Sequence, residues 1–345
     1  MTLQQLVRPN IWSLKPYTCA RNEYTGEARA WLDANENSRI DGYNRYPDPL
    51  QTEVKKRLAA LRGVSADRIF LGVGSDECID IAYRVFCRPG VDNVVAIDPT
   101  YGMYEVCADI NDVEYRPVSL GEGYSLDVDA LLAATDANTK IIWICSPNNP
   151  TGNAFQLEQL KEVCSRFDGI TVIDEAYIDF SDKGSMIGML DEFPRLIVMQ
   201  TFSKAWASAA IRLGIAYASR EIVDIYNKVK YPYNINELTQ RQALSVLDNR
   251  QQVETTAAEL VAARNALTAQ LAKIPSVKEI YPSDANFLLF KVDDADALYA
   301  YLRDEGVIVR NRNRVHMCHG CIRVTVGNDE EDRIFIQKLR DYADR

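Results

Sequence analysis

Short apolar runs of strand length alternate with helix-patterned stretches through the first two thirds of the chain. Residues 69–73, 94–98, 140–146, 171–174, 196–201 and 213–218 read as strands, bounded by turn residues. Between them, residues 76–87, 101–111, 156–167 and 221–228 are compatible with helices. This alternation predicts an α/β fold whose large domain has a mostly parallel sheet flanked by helices. Ligands of such sheets collect outside the carboxyl ends of the strands. From 236 to 273 there is no proline, and Leu244, Leu247, Leu260, Leu267 and Leu271 fall at helical spacing, so one long helix or two shorter ones end before Pro275. Residues 286–292, 306–310 and 321–326 then read as strands around a helix at 295–305, a smaller α+β domain. The organisation expected is a segment 1–35 packing on the small domain, a large domain 36–235, connecting helices 236–273 and a small domain 274–345.

Composition narrows the function classes. The 345 residues carry a net charge of −10, which argues against nucleic acid or an anionic membrane as the main partner. The purest apolar runs, such as Ile141-Ile142-Trp143-Ile144-Cys145, are strand-sized and far short of a membrane span. Met1 to Trp12 lacks the apolar core of a secretory signal. Eight scattered cysteines suit reduced, buried thiols better than a disulfide framework, so a cytoplasmic location is expected.

Candidate chemistry gathers where strands end. Lys204 lies in Thr201-Phe202-Ser203-Lys204-Ala205, and Asp174 closes the run Val172-Ile173-Asp174. A lysine and an aspartate at neighbouring strand ends are what pyridoxal phosphate chemistry requires. The lysine forms a Schiff base, and the aspartate keeps the pyridine nitrogen protonated so that the ring is an electron sink. Gly72-Val73-Gly74-Ser75-Asp76-Glu77 joins a strand to a helix. It reads either as a plain glycine turn capped by Ser75 or as a phosphate cup at a helix start, with Ser203 and Arg212 as a second set of phosphate ligands. The rigid turn Ser146-Pro147-Asn148-Asn149-Pro150-Thr151-Gly152 projects Asn148 over a strand end, where it and Tyr177 can donate to a phenolic oxygen. Tyr101 either stacks on the pyridine ring or packs in the core.

In order along the chain, Leu32-Asp33-Ala34-Asn35-Glu36-Asn37, Tyr46-Pro47-Asp48-Pro49, Gly74-Ser75-Asp76-Glu77, Ser146 to Gly152, Asp174-Glu175-Ala176-Tyr177 and Thr201 to Ala205 complete a pattern. Together they resemble the histidinol-phosphate aminotransferase family, within the fold-type-I pyridoxal phosphate aminotransferases. The resemblance runs from Pro16-Tyr17 to Arg323-Val324-Thr325-Val326-Gly327. It implies Lys204 as the Schiff-base lysine and Asp174 as partner of the pyridine nitrogen. Asn148 and Tyr177 would meet the phenolic oxygen, and Tyr101 would stack on the ring. Ser75, Asp76, Glu77, Ser203 and Arg212 would form the phosphate site, with Tyr46 reaching in from the other subunit of a homodimer with shared active sites. Arg323, Arg310, Tyr17 and Asn35 would bind the substrate. The implied substrates are histidinol phosphate and 2-oxoglutarate, with glutamate as a product. An aromatic amino-acid aminotransferase and a pyridoxal phosphate decarboxylase of a phosphorylated amino acid remain rival readings on this scaffold. A regulator's aminotransferase-like module would need a DNA-binding domain, for which residues 1–35 leave little room.

Two departures stand out. The stretch Ala205-Trp206-Ala207-Ser208-Ala209-Ala210 has alanines where relatives carry glycines, a mild change wherever φ is negative. His316-Met317-Cys318-His319-Gly320-Cys321 holds both histidines of the chain beside a C-x-x-C. Those ligand types suit a metal, but a four-ligand site from one short hairpin is cramped. The segment reads as a variable loop, and no metal is expected.

Overall fold

Seven strands hydrogen-bond into one sheet: β1 Ile69–Val73, β2 Asn93–Asp98, β3 Glu114–Ser119, β4 Thr139–Cys145, β5 Ile170–Asp174, β6 Leu196–Thr201 and β7 Leu213–Tyr217. The computed structural model describes residues 1–24, 26 and 28–344. The sheet order is β1-β7-β6-β5-β4-β2-β3, with only β7 antiparallel to its neighbours. Alternate side chains of β4 serve two cores: Ile142 and Ile144 face one, Ile141, Trp143 and Cys145 the other. Burial on both faces explains why this strand is apolar from Ile141 to Cys145 and lacks a polar stripe. The edge strand β3, paired with β2, escaped the sequence reading, because Glu114, Arg116 and Pro117 break the apolar pattern. Such a mixture is tolerated on an edge strand.

The connecting region forms two helices, Glu237–Asp248 and Arg250–Leu271, broken at Asn249. The second spans both parts of the molecule. Its Ala257 joins a core of the large sheet, and its Leu267 and Leu271 join the core of the small domain. There β8 Val277–Ile280, β9 Phe287–Val292, β10 Arg310–Asn311 and β11 Cys321–Thr325 make an antiparallel sheet ordered β10-β11-β9-β8. The strand expected at 306–310 is shorter and displaced, pairing only Arg310 with Arg323 and Asn311 with Ile322.

The segment 1–35 was expected on the small domain, and its first residues lie elsewhere. Leu6 and Val7 are buried in the large-domain core beside Phe86 and Cys87. The Arg8 N–H donates to the Val85 carbonyl oxygen over 2.9 Å. The helix Gly74–Phe86 leaves an apolar groove at its end, and covering it with two aliphatic side chains is worth about 1.5–3 kcal/mol each. Among the described residues no helix is long and apolar enough to cross a membrane, and all eight cysteines are buried and unpaired.

Candidate active site

A cavity of about 570 Å³ opens at the carboxyl ends of the parallel strands, where the small domain meets the large one. Asp174 ends β5, in register with Cys145 of β4 and Met199 of β6. Lys204 follows three residues after β6 ends, so adjacent parallel strands deliver both groups to one edge. The Lys204 ammonium lies 5.5 Å from the centre of the Tyr177 ring. Its pKa is lowered from the ordinary lysine value, first by burial and then by the Arg323 guanidinium. That favours the neutral, nucleophilic amine.

Asp174 is 3% exposed. Its Oδ2 accepts from the Tyr104 hydroxyl at 2.6 Å and its Oδ1 from the Ala176 N–H at 3.1 Å. Burial raises its pKa to about 6, and the Tyr104 hydrogen bond opposes that rise. A buried carboxylate facing a cavity seeks a cationic N–H, as a protonated pyridine offers.

The helix Gly74–Phe86 begins at the cavity: the Gly74 N–H donates to the Arg212 carbonyl oxygen (2.8 Å), and no side chain of the residue before the helix caps the N–H groups that follow. Gly74 has φ +70°, and a Cβ there would sit 2.6 Å from Nη2 of Arg212. Only glycine lets that guanidinium lie across the helix start. Ser75, Ser203 and Arg212 line the same end of the cavity, which makes a cup of cationic and N–H donors for a phosphate. The Asp76 carboxylate is engaged by Arg212 (3.3 Å) and by the Tyr101 hydroxyl (3.0 Å), so its contribution to the cup is the backbone. Lysine, aspartate and cup together fit pyridoxal phosphate.

Several expected residues sit elsewhere. Glu77 does not line the cavity; its carboxylate accepts from the Val73 N–H (2.5 Å) and from Asn234 (3.0 Å), bracing the turn behind the cup. Asn148 is fully buried and spends its amide pinning its turn to the segment after β2. It donates to the Pro99 carbonyl oxygen and to Thr151 Oγ1, each at 2.8 Å, and accepts from Thr100 Oγ1 at 2.9 Å. The cavity-facing amide is Asn149, 3.5 Å from the Tyr177 hydroxyl and hydrogen-bonded to Arg323. Two consecutive asparagines are equivalent in sequence, and the direction of the turn selects the second. Tyr17 is 75% exposed. Asn35 and Tyr46 share a separate hollow with Glu36, Tyr43 and Arg45, where Tyr46 stacks on Tyr233 at 4.4 Å. None of these three lines the cavity of this chain.

The wall opposite Lys204 is an arginine cluster. Arg310 pairs with Arg323 across β10 and β11, and Arg312 stands two residues on, so all three border the cavity. The Nε atoms of Arg312 and Arg323 are buried without a hydrogen-bond partner, and among the described residues no carboxylate forms an ion pair with any of the three. Burial, then Arg323 and Arg310, pushes the Arg312 pKa down to about 10. Tyr104 and Asn149 are the site residues that sequence reading missed. Arg312 belongs to the arginine-rich stretch Arg310-Asn311-Arg312-Asn313-Arg314, expected with Arg323 to receive substrate phosphate, and Arg310 and Arg312 alternate as residues on one face of a strand do. The segment His316 to Cys321 packs on the large domain: His316 Nε2 lies 2.8 Å from Ser119 Oγ on β3, and the Tyr124 hydroxyl donates to the Met317 carbonyl oxygen.

This arrangement has a counterpart among known proteins. Residues 19–339 match the family described as aminotransferase class I and II, and the chain belongs to that family. The histidinol-phosphate aminotransferase of Bacteroides thetaiotaomicron is 52% identical over 342 residues, 99% of each chain. Among solved structures, the histidinol-phosphate aminotransferase of Clostridium acetobutylicum superposes with a TM-score of 0.81 at 22% identity, covering 88% of this chain and 91% of its own. That of Sinorhizobium meliloti, in complex with pyridoxal-5'-phosphate, gives 0.80 at 21% identity, covering 87% and 83%. At those identities the structural likeness speaks for the fold. The specific name rests on the curated relatives.

Proposed function

We propose that the protein is a pyridoxal phosphate-dependent aminotransferase of histidine biosynthesis. It exchanges the amino group of histidinol phosphate with 2-oxoglutarate, giving imidazole-acetol phosphate and glutamate by a ping-pong route. The observation that carries this reading is one cavity holding the Lys204–Asp174 pair on one side and three arginines without acidic partners on the other. A charged wall of that kind needs an anion, and both substrates have one: a phosphate on the amino donor, carboxylates on the acceptor. The name shared by full-length relatives at about half identity supports the same substrate.

When bound, the cofactor supplies an electron sink for the charge left at the substrate carbon after proton removal. The remaining work belongs to side chains. Lys204, its basicity tuned by burial, would be the base that takes the proton from the substrate Cα. Asp174 would keep the pyridine nitrogen protonated. Tyr177 and Asn149 would be donors to the phenolic oxygen, with Tyr101 beside the ring. Arg212, Ser203 and the N–H groups at Ser75 and Asp76 would hold the cofactor phosphate. Arg323, Arg312 and Arg310 orient the acidic end of the substrate and exclude water from that wall. The reaction is placed in the cytoplasm, in a homodimer.

Half-reaction spectra of the purified enzyme test this directly. Histidinol phosphate is expected to discharge the lysine-bound cofactor band at far lower concentration than phenylalanine, tyrosine or phosphothreonine. Faster reaction with phenylalanine would replace this reading by an aromatic aminotransferase. Release of carbon dioxide from phosphothreonine would replace it by a decarboxylase.

A further inference from the structure

Below the cavity floor three aromatic rings stack and end on Asp174. Tyr83 lies on Trp143 with centroids 5.6 Å apart at 24°, and Trp143 lies on Tyr104 at 4.9 Å and 13°. All three are fully buried. The Tyr83 hydroxyl donates to the Tyr104 carbonyl oxygen over 2.7 Å, so both the ring and the backbone of Tyr104 are held. From that fixed position the Tyr104 hydroxyl donates to Asp174 Oδ2 at 2.6 Å. Tyr104 does not line the cavity, so its effect on chemistry there passes through Asp174.

We propose that Tyr104 is a positioning residue, whose hydroxyl keeps Asp174 ionised and aims the carboxylate into the cavity. The inference deepens the aminotransferase reading and rests on it for its consequence, although the hydrogen bond is independent of any substrate. A buried hydroxyl needs some partner, so the bond by itself also suits a satisfied core tyrosine. The surroundings of Asp174 decide for the functional role. Burial drives its proton affinity up, and only hydrogen bonds from Tyr104 and the Ala176 N–H, together with the charge on Lys204, oppose it, while Asp76 adds to the rise. The other titratable groups near it are Cys78 on the helix Gly74–Phe86, Cys145 at the end of β4, and the phenols of Tyr101 and Tyr177. Burial raises the pKa of all four above its ordinary value, so they are neutral at pH 7 and supply no compensating charge. The Ala176 N–H is backbone and Lys204 is committed to chemistry. Tyr104, whose hydroxyl also neighbours the neutral Cys145 thiol, is therefore the side chain that gives the carboxylate its hydrogen-bond donor.

The test is Tyr104→Phe, which keeps the ring on Trp143 and removes only the donor. In the full-length, cofactor-free chain, the Asp174 carboxyl is titrated by infrared difference spectroscopy, with Asp174→Asn marking its band. Its midpoint is expected to rise by about one pH unit. In the holoenzyme, kcat at pH 7 is expected to fall about tenfold with KM changed less than twofold, and the acid limb of the kcat profile to move up with the midpoint. A fluorinated tyrosine at position 104, a stronger donor of the same shape, is expected to lower the midpoint instead; it also serves if the phenylalanine variant folds poorly. A purely structural Tyr104 would lower the melting temperature and leave both midpoint and limb in place. An unchanged midpoint overturns the proposal in an otherwise active enzyme. If the wild-type chain transaminates nothing, the functional reading fails while the titration still decides the role of Tyr104.

Discussion

Asp174 is a carboxylate almost wholly withdrawn from water at the wall of the cavity, and that has a thermodynamic cost. Its folded pKa, about 6, lies above the ordinary 3.8, so its contribution to stability is present in full below pH about 4 and is lost as pH rises through 6. Glu175 next to it, raised by burial to about 7, has the same sign. Asp174→Asn removes the charge without changing the shape. The cofactor-free variant is expected to gain on the order of 2–3 kcal/mol at pH 8 and almost nothing at pH 4, read as melting temperature against pH. A loss of stability at pH 8 would show that the carboxylate is well solvated after all. Arg312 poses the opposite question, a half-buried cation with no carboxylate partner among the described residues, for which the proposed partner is the substrate's anion. Arg312→Gln is expected to cut the kcat/KM preference for histidinol phosphate over histidinol by roughly 10- to 100-fold, as the loss of one charge-assisted hydrogen bond predicts. Equal preference in variant and wild type would remove Arg312 from substrate recognition.

At the level of elements, apolar runs were a reliable guide and turns were not. The runs that became β1 and β6 were legible to the residue, because a strand buried on both faces admits little but aliphatic side chains. The strand ends located Lys204 and Asp174 by the same logic. The turn carrying Asn148 and Asn149 was legible as a turn, yet its backbone direction, which decides the amide that reaches the cavity, is not encoded in residue type. The Leu6–Val7 contact was hidden because two aliphatics in a polar stretch do not say which groove they fill. The stretch after Lys204 holds a further surprise. Ala207 has φ +48°, the left-handed region, in the turn where its N–H donates to the Lys204 carbonyl oxygen. Alanine is therefore not mild there. Ala207→Gly is expected to stabilise the protein by roughly 0.5–1 kcal/mol, measured by denaturant melting, with turnover unchanged. Destabilisation would mean that the loss of chain entropy outweighs the relief.

Over the whole molecule, the hollow holding Asn35 and Tyr46 is the part that a single chain leaves without a task. Half-exposed Tyr46 and the exposed side chains of Tyr43 and Leu238 line it. In the proposed homodimer this face meets a second copy and sends Tyr46 to its cofactor phosphate. Mixing Lys204→Ala subunits with Tyr46→Ala subunits is then expected to recover up to about a quarter of wild-type activity, since random pairing yields hybrids with one intact site. A monomer by sedimentation, or mixtures no more active than their parents, would refute shared sites.

The helix Arg250–Leu271 joins two bodies that hold different halves of the site: the amine and carboxylate belong to the large sheet, the arginines to β10, β11 and the residues just after β10. The acidic end of a substrate is thus the mortar between two blocks. Under the proposed function, part of its attraction would go into holding the blocks in register and would not show as tighter binding. Trimming that end away should slow the reacting complex as well as weaken it. A molecule with the right amine and no anion would reach Lys204 and find the opposite wall still asking for its charge.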